Sequence, residues 1–210
     1  MVKRIKKVTK NKPTRKRKKL IVVGTEGVNR TETLYLHELE KKQEDYHFLF
    51  AQGNGTDPVK IVRNTAKRAK FEELSYKQGD MAISIFDLDL DRAKESQMEE
   101  AKKIAKQKNV QLITSNPCFE VWYLEHFGYT SKPFSNSAEV IRDLQKKMPG
   151  YQKSQCEIDV LYPKTEEAIQ NSKKLVDHHV KNGDSSEFAN PRTDVYVVAK
   201  ILLPKGDIDD

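Results

Sequence analysis

At 210 residues, with 37% hydrophobic and 33% charged side chains, the chain has the length for one decorated domain with a sizeable core. No apolar run approaches the roughly 18 residues of a bilayer span. The charged N-terminus lacks the apolar stretch of a secretory signal, so a soluble cytoplasmic protein without a membrane partner is expected. The net charge of +7 is local: the first 19 residues hold eleven of the 38 Lys and Arg and no acid, which leaves 27 bases against 31 acids, net −4, from Leu20 onward.

The run over 1–19 is expected to be a disordered basic leader. It serves either as an electrostatic arm for nucleic acid or as a solubilising tail. Beyond it, Leu20-Ile21-Val22-Val23 is a continuous apolar run that suits a strand buried on both faces. Gly24-Thr25-Glu26-Gly27 follows, then a helical pattern through Leu34, Leu36 and Leu39. The loop lacks the Gly-Lys-Ser/Thr ending of a Walker A motif and the spacing of a dinucleotide fingerprint. Tyr46 to Phe50 forms a second strand candidate, and Asp57-Pro58 caps and opens a helix with a basic face of Lys60, Arg63, Lys67, Arg68 and Lys70. That face is either solvated or turned to a polyanion.

Met81 to Asp91 is the most informative stretch. An apolar run climbs into Asp87-Leu88-Asp89-Leu90-Asp91, and as a strand its period of two places Asp87, Asp89 and Asp91 on one face. A helix over Glu95–Lys108 follows, closed by Asn109, and then a short strand from Val110 to Thr114. Strands alternating with helices of this length indicate parallel pairing and right-handed crossovers. The expected fold is α/β, a mostly parallel four-strand sheet flanked by helices over 20–129, with a helical extension over 130–210 packed on it. Ser115-Asn116-Pro117-Cys118-Phe119-Glu120 leads into a helix with Pro117 in its first turn and Asn116 or Ser115 as its cap. Ser137 and Thr165 begin two further helices, and Asn190-Pro191-Arg192-Thr193-Asp194 opens the last. Cys118 and Cys156 show no staple or zinc pattern and are expected to be reduced. His178 and His179 share no helix face and read as partners of a helix C-terminus rather than metal ligands.

Glu26 and Asp87 follow different parallel strands, whose carboxyl ends share one rim, where open α/β sheets bind ligands. Carboxylates gathered there repel one another unless a cation is present. Glu26, Asp87 and Asp89 are therefore the expected ligands of Mg²⁺ or Mn²⁺, hard cations that accept phosphate oxygens from a substrate. Asp91 reads as a bystander. Glu120 is either a helix-capping acid or a catalytic residue of the same rim.

These blocks resemble a known family. Glu-Gly after one strand and Asp-x-Asp after another is similar to the Toprim arrangement of topoisomerases, primases and OLD-type nucleases. More specifically, Glu26-Gly27 with Thr31-Glu32, Asp87-Leu88-Asp89, Ser115 to Trp122 with His126-Phe127, and Asn190 to Val195 resemble the RloB-like family. The resemblance implies a Toprim-like fold and a metal-dependent nuclease of an anti-phage or restriction-associated defence system. DNA or RNA, tRNA included, would be its substrate, with an ABC- or AAA-type ATPase as partner. It implies Glu26 as general acid/base or metal ligand and Asp87 and Asp89 as metal ligands; it assigns no role to Asn116, Glu120 or His126. Two other readings stand beside it: a non-catalytic metal- or nucleotide-binding regulator of a defence ATPase, and a scaffold whose acids are solvated.

Overall fold

The computed structural model describes residues 17–27, 30–51, 53, 55–153 and 155–203. The apolar runs become β1 (Lys19–Gly24), β2 (Tyr46–Phe50), β3 (Met81–Asp87) and β4 (Gln111–Asn116), paired in parallel in the order β2-β1-β3-β4. Most of the leader expected over 1–19 lies outside the described residues, but its end is built into the fold. Arg17 donates two hydrogen bonds, at 2.9 and 2.8 Å, to the buried Asp80 carboxylate, which also accepts from the Leu20 and Ser75 N–H groups. With the Arg17 bonds foremost, these donors hold Asp80 at about 2.

The sheet has five strands and is mixed, which corrects the expected four. β5 (Arg192–Thr193) lies antiparallel to β4, with Thr193 opposite Ser115 and Arg192 opposite Asn116. Two residues carry too little pattern to read as a strand, and from sequence the stretch reads as the opening of a helix. Side chains hold it in place: Ser115 Oγ meets Thr193 Oγ1 at 2.9 Å, and Thr114 Oγ1 donates to Asp194 Oδ2 at 2.8 Å.

Alternation along the central strands feeds two cores. Ile21, Val23, Ile83, Ile85 and Ile113 face one, with α1 (Thr31–Glu40), α4 (Glu120–Glu125), α5 (Ser137–Lys147), α6 (Ile158–Leu161), α7 (Thr165–Lys181) and α8 (Val195–Leu202). Val22, Ala82 and Phe86 face the other, under α2 (Pro58–Phe71) and α3 (Glu95–Lys108). Burial on both faces is why these strands read as unbroken apolar runs. Asp57 caps α2 by accepting from the Val59 and Lys60 N–H groups, and Asn109 ends α3 in the left-handed region. Asn136, one residue before the expected Ser137, caps α5. At Gly24, β1 runs so close under α2 that a Cβ would overlap Thr65 Oγ1.

The interior beneath α7 holds an ionisable group. Glu125 is fully buried, and neither carboxylate oxygen has a hydrogen-bond partner among the described residues. Burial alone pushes it up to about 8. The folded state therefore keeps this proton between the ordinary carboxylate range and about pH 8, while the unfolded chain releases it, so stability falls as pH rises through that window. Chemical denaturation from pH 5 to 8 should show the wild type losing of order 2–4 kcal/mol more than Glu125→Gln. Parallel stability curves for the two proteins would contradict the assignment.

Candidate functional site

Parallel pairing sets the site. Gly24 lies opposite Ser84 and Asp87 opposite Ser115, so β1, β3 and β4 end along one rim. Glu26, two residues past β1, stands close enough to Asp87 and Asp89 for their charges to act on one another. Glu32 lies in the first turn of α1, buried at 7% exposure, and Glu120 opens α4 at 1%. The rim thus joins Glu26 and Asp87 to two further carboxylates.

Burial and neighbouring charge both act on them. Burial, then Glu32, Glu120, Glu26 and Asp89, push Asp87 well above the ordinary carboxylate range. Burial pushes Glu32 up to about 7; its own N–H and Arg30 resist, while Glu26 and Glu120 add to the rise. Burial also raises Glu26, helped by Asp89 and opposed by Lys94 and Arg30. Glu120 goes the other way. Burial pushes it up, but Lys153, the Cys118 thiol, Tyr151 and its own N–H together hold it below the usual range.

Glu120 is clamped through one oxygen. Its Oε1 accepts from Thr31 Oγ1 at 3.0 Å and Tyr151 Oη at 2.8 Å, with Lys153 Nζ at 3.6 Å. Its Oε2 is buried and has no partner among the described residues. An orphaned carboxylate oxygen is costly to bury and marks a place where a cation or donor fits.

The alternation from Asp87 to Asp91 does not continue as a strand. β3 ends at Asp87, and Asp89 and Leu90 take φ of +53° and +59°. The turn is fixed from β4: Leu88 N–H donates to Ser115 O, Asp89 N–H to Pro117 O, and Leu90 N–H to Asn116 Oδ1. Asp87, Asp89 and Asp91 therefore do not share a strand face. The Asp89 side chain is 51% exposed and pairs with Lys94 at 2.8 Å, while Lys94 also donates to Asp87 O at 3.0 Å. Asp91 caps the next turn by accepting from Ala93 N–H at 2.9 Å.

Asn116 organises the rim without reaching out of it. Buried, it also donates to the Phe188 and Ala189 carbonyls at 2.7 and 3.2 Å. The helix expected at Pro117 starts instead at Glu120, with no side-chain cap, after a cis Asn116–Pro117 bond. His126 is buried away from the carboxylates, its Nδ1 at 2.9 Å from Trp122 O. Cys118 and Cys156 are free thiols.

Among the described residues, no three His, Cys, Asp or Glu side chains stand close enough together to share one metal ion. The donor set still has the chemistry of a hard-cation site: all oxygen, crowded, and with one orphaned atom. Sequence reading misses Glu32, Lys94, Tyr151 and Lys153. Thr31-Glu32 directly after the glycine-flanked loop was an available signal, but a first-turn acid ordinarily serves the helix dipole. Tyr151 and Lys153 lie in irregular chain between α5 and α6, where no periodicity marks them.

Carboxylates crowded at such a rim cost folding stability unless they are neutralised. In EDTA, Asp87→Asn should raise the unfolding free energy by about 1 kcal/mol or more. A destabilised Asp87→Asn protein would show that the crowding is not a burden on the fold.

No curated protein and no solved structure matches the chain. The family model described as RloB-like protein matches residues 21–202, from β1 through the end of α8, and the chain belongs to that family.

Proposed function

We propose that this rim binds Mg²⁺ or Mn²⁺ and cleaves phosphodiester bonds in DNA or RNA, tRNA included. The protein would act as the effector of an anti-phage or restriction-associated defence system. The fold reading that goes with this is Toprim-like, with Glu26 and Asp87 at neighbouring strand ends, and an ABC- or AAA-type ATPase is the partner that the family resemblance suggests. The observation that carries the proposal is that Glu26 and Asp87 follow neighbouring parallel strands beside the buried Glu120, whose Oε2 has no partner among the described residues.

Glu26 and Asp87 would hold the ion, with Glu120 contributing the oxygen that its clamp leaves free. Asp89, the third ligand expected from sequence, is tied to Lys94, and in this reading Glu120 takes its place. When bound, such an ion supplies Lewis acidity to a phosphoryl oxygen and to the attacking water. Thr31, Tyr151 and Lys153 fix the Glu120 carboxylate before substrate arrives, so its position costs no reorganisation during reaction. A rim of acids repels a phosphodiester, and Lys94 and Lys153 are the cations beside it that can receive phosphate oxygens. The alternative is a non-catalytic metal- or nucleotide-binding regulator of a defence ATPase, which would use the same rim without turnover.

The full chain is incubated with labelled single- and double-stranded DNA, RNA and tRNA, in Mg²⁺, Mn²⁺ or EDTA, alone and with a candidate ABC- or AAA-type ATPase. The expected result is metal-dependent cleavage that falls on the order of 100-fold or more in Asp87→Asn and Glu26→Gln. Cleavage unaffected by either substitution sinks the site. Metal or nucleotide binding with no turnover on any substrate selects the regulatory reading.

A further inference from the structure

Helix α2 carries no acid. Its charged residues are Lys60, Arg63, Lys67, Arg68 and Lys70, and four of the five are exposed. Arg68 is the exception, half-buried and paired with Glu72 at 2.7 Å. The others recur at intervals of three, four and three residues, which aligns Lys60, Arg63, Lys67 and Lys70 in one outward stripe about 15 Å long. Arg63 reaches Glu100 at 3.3 Å; among the described residues, Lys60, Lys67 and Lys70 have no acidic partner.

The helix dipole explains cations in the last turn but not Lys60, which stands in the first turn where positive charge is disfavoured. Lys60 borders, with Gly24 and Thr25, a pocket at the carboxylate end of the sheet. At the other end Arg63, Lys67 and Lys70, with Lys108 and Tyr76, wall a cleft of about 660 Å³ between α2 and α3; Glu73 is the acid in that wall. Two aromatic rings stand out beside it, Phe71 at 77% exposure and Tyr76 at 40%. Phe71 lies under the Arg68 guanidinium, 5.8 Å from it to the ring centre, and aromatic platforms beside a cationic track are how unpaired nucleic acid is held.

We propose that this face docks a single nucleic-acid strand, its phosphates along Lys60–Lys70 and its bases against Phe71 and Tyr76, leading toward the carboxylate rim. The proposal rests on the reading of that rim as a phosphodiester-cleaving site. Phosphate charge and base faces are the chemistry recognised, and a duplex keeps its base faces stacked away.

Fluorescence anisotropy of the full chain in EDTA, where no cleavage occurs, tests it with labelled 12-nucleotide dT and U strands between 50 and 200 mM salt (about the range over which phosphate contacts are resolved). Phe71→Ala should weaken binding about fivefold or more. The Lys67→Gln/Lys70→Gln protein should lower the slope of log affinity against log salt by about 1.4, roughly 0.7 for each cation removed. A Lys147→Gln/Lys181→Gln control, with the same charge change on other exposed helices, should leave both unchanged. The proposal is overturned if the wild type binds no strand, if the α2 variants bind like the control, or if a blunt duplex of equal length binds as tightly. Cleavage in Mg²⁺ is scored separately. A strand held but never cut removes the nuclease reading and leaves the docking surface, whereas cutting indifferent to Lys67, Lys70 and Phe71 does the reverse.

Discussion

Carboxylates are crowded where β1 and β3 end, with Asp87 driven above its ordinary range by burial and by Glu32, Glu120, Glu26 and Asp89. Desolvation and like charge act in the same direction there, and each makes the other more expensive. The surrounding chain holds the crowd in place. Thr31 from the start of α1, and Tyr151 and Lys153 from the extension, converge on one oxygen of Glu120, while Lys94 spans Asp89 and the Asp87 carbonyl. Glu120 is thus tightly constrained, yet its Oε2 is left without a partner among the described residues.

The helical extension completes the core in a specific way. β5 adds two residues to β4, Asn116 fastens both the turn after β3 and the segment before β5, and Asn190 exchanges hydrogen bonds with the Phe134 backbone. The Ser-Asn-Pro and Asn-Pro-Arg-Thr-Asp blocks are therefore two halves of one joint. Their polar side chains mostly hold backbone, which shapes the rim from behind.

What was legible from sequence follows the range of the forces involved. β1 and β3 could be read because burial on two faces leaves a continuous apolar signature, and α3 because Asn109 in the left-handed region is a local stop. The three aspartates read as one strand face because nothing local shows the turn after Asp87, which is imposed by hydrogen bonds to Ser115, Asn116 and Pro117, nearly thirty residues away in sequence (Leu90 to Asn116 spans 26). Tyr151 and Lys153 could not be found at all: they belong to irregular chain, and only the packing of the extension brings them to Glu120. Glu26 and Asp87 were reached through the rule that parallel strands end on one rim, which is a statement about topology rather than local pattern.

If the rim holds a divalent cation, Mn²⁺ binding shows it without requiring a substrate. Electron paramagnetic resonance reports free Mn²⁺ as the full chain is titrated. The wild type should deplete the free-ion signal, Mg²⁺ should restore it by competition, and Asp87→Asn should leave it undiminished. Equal depletion by wild type and Asp87→Asn, or none by either, would contradict the account.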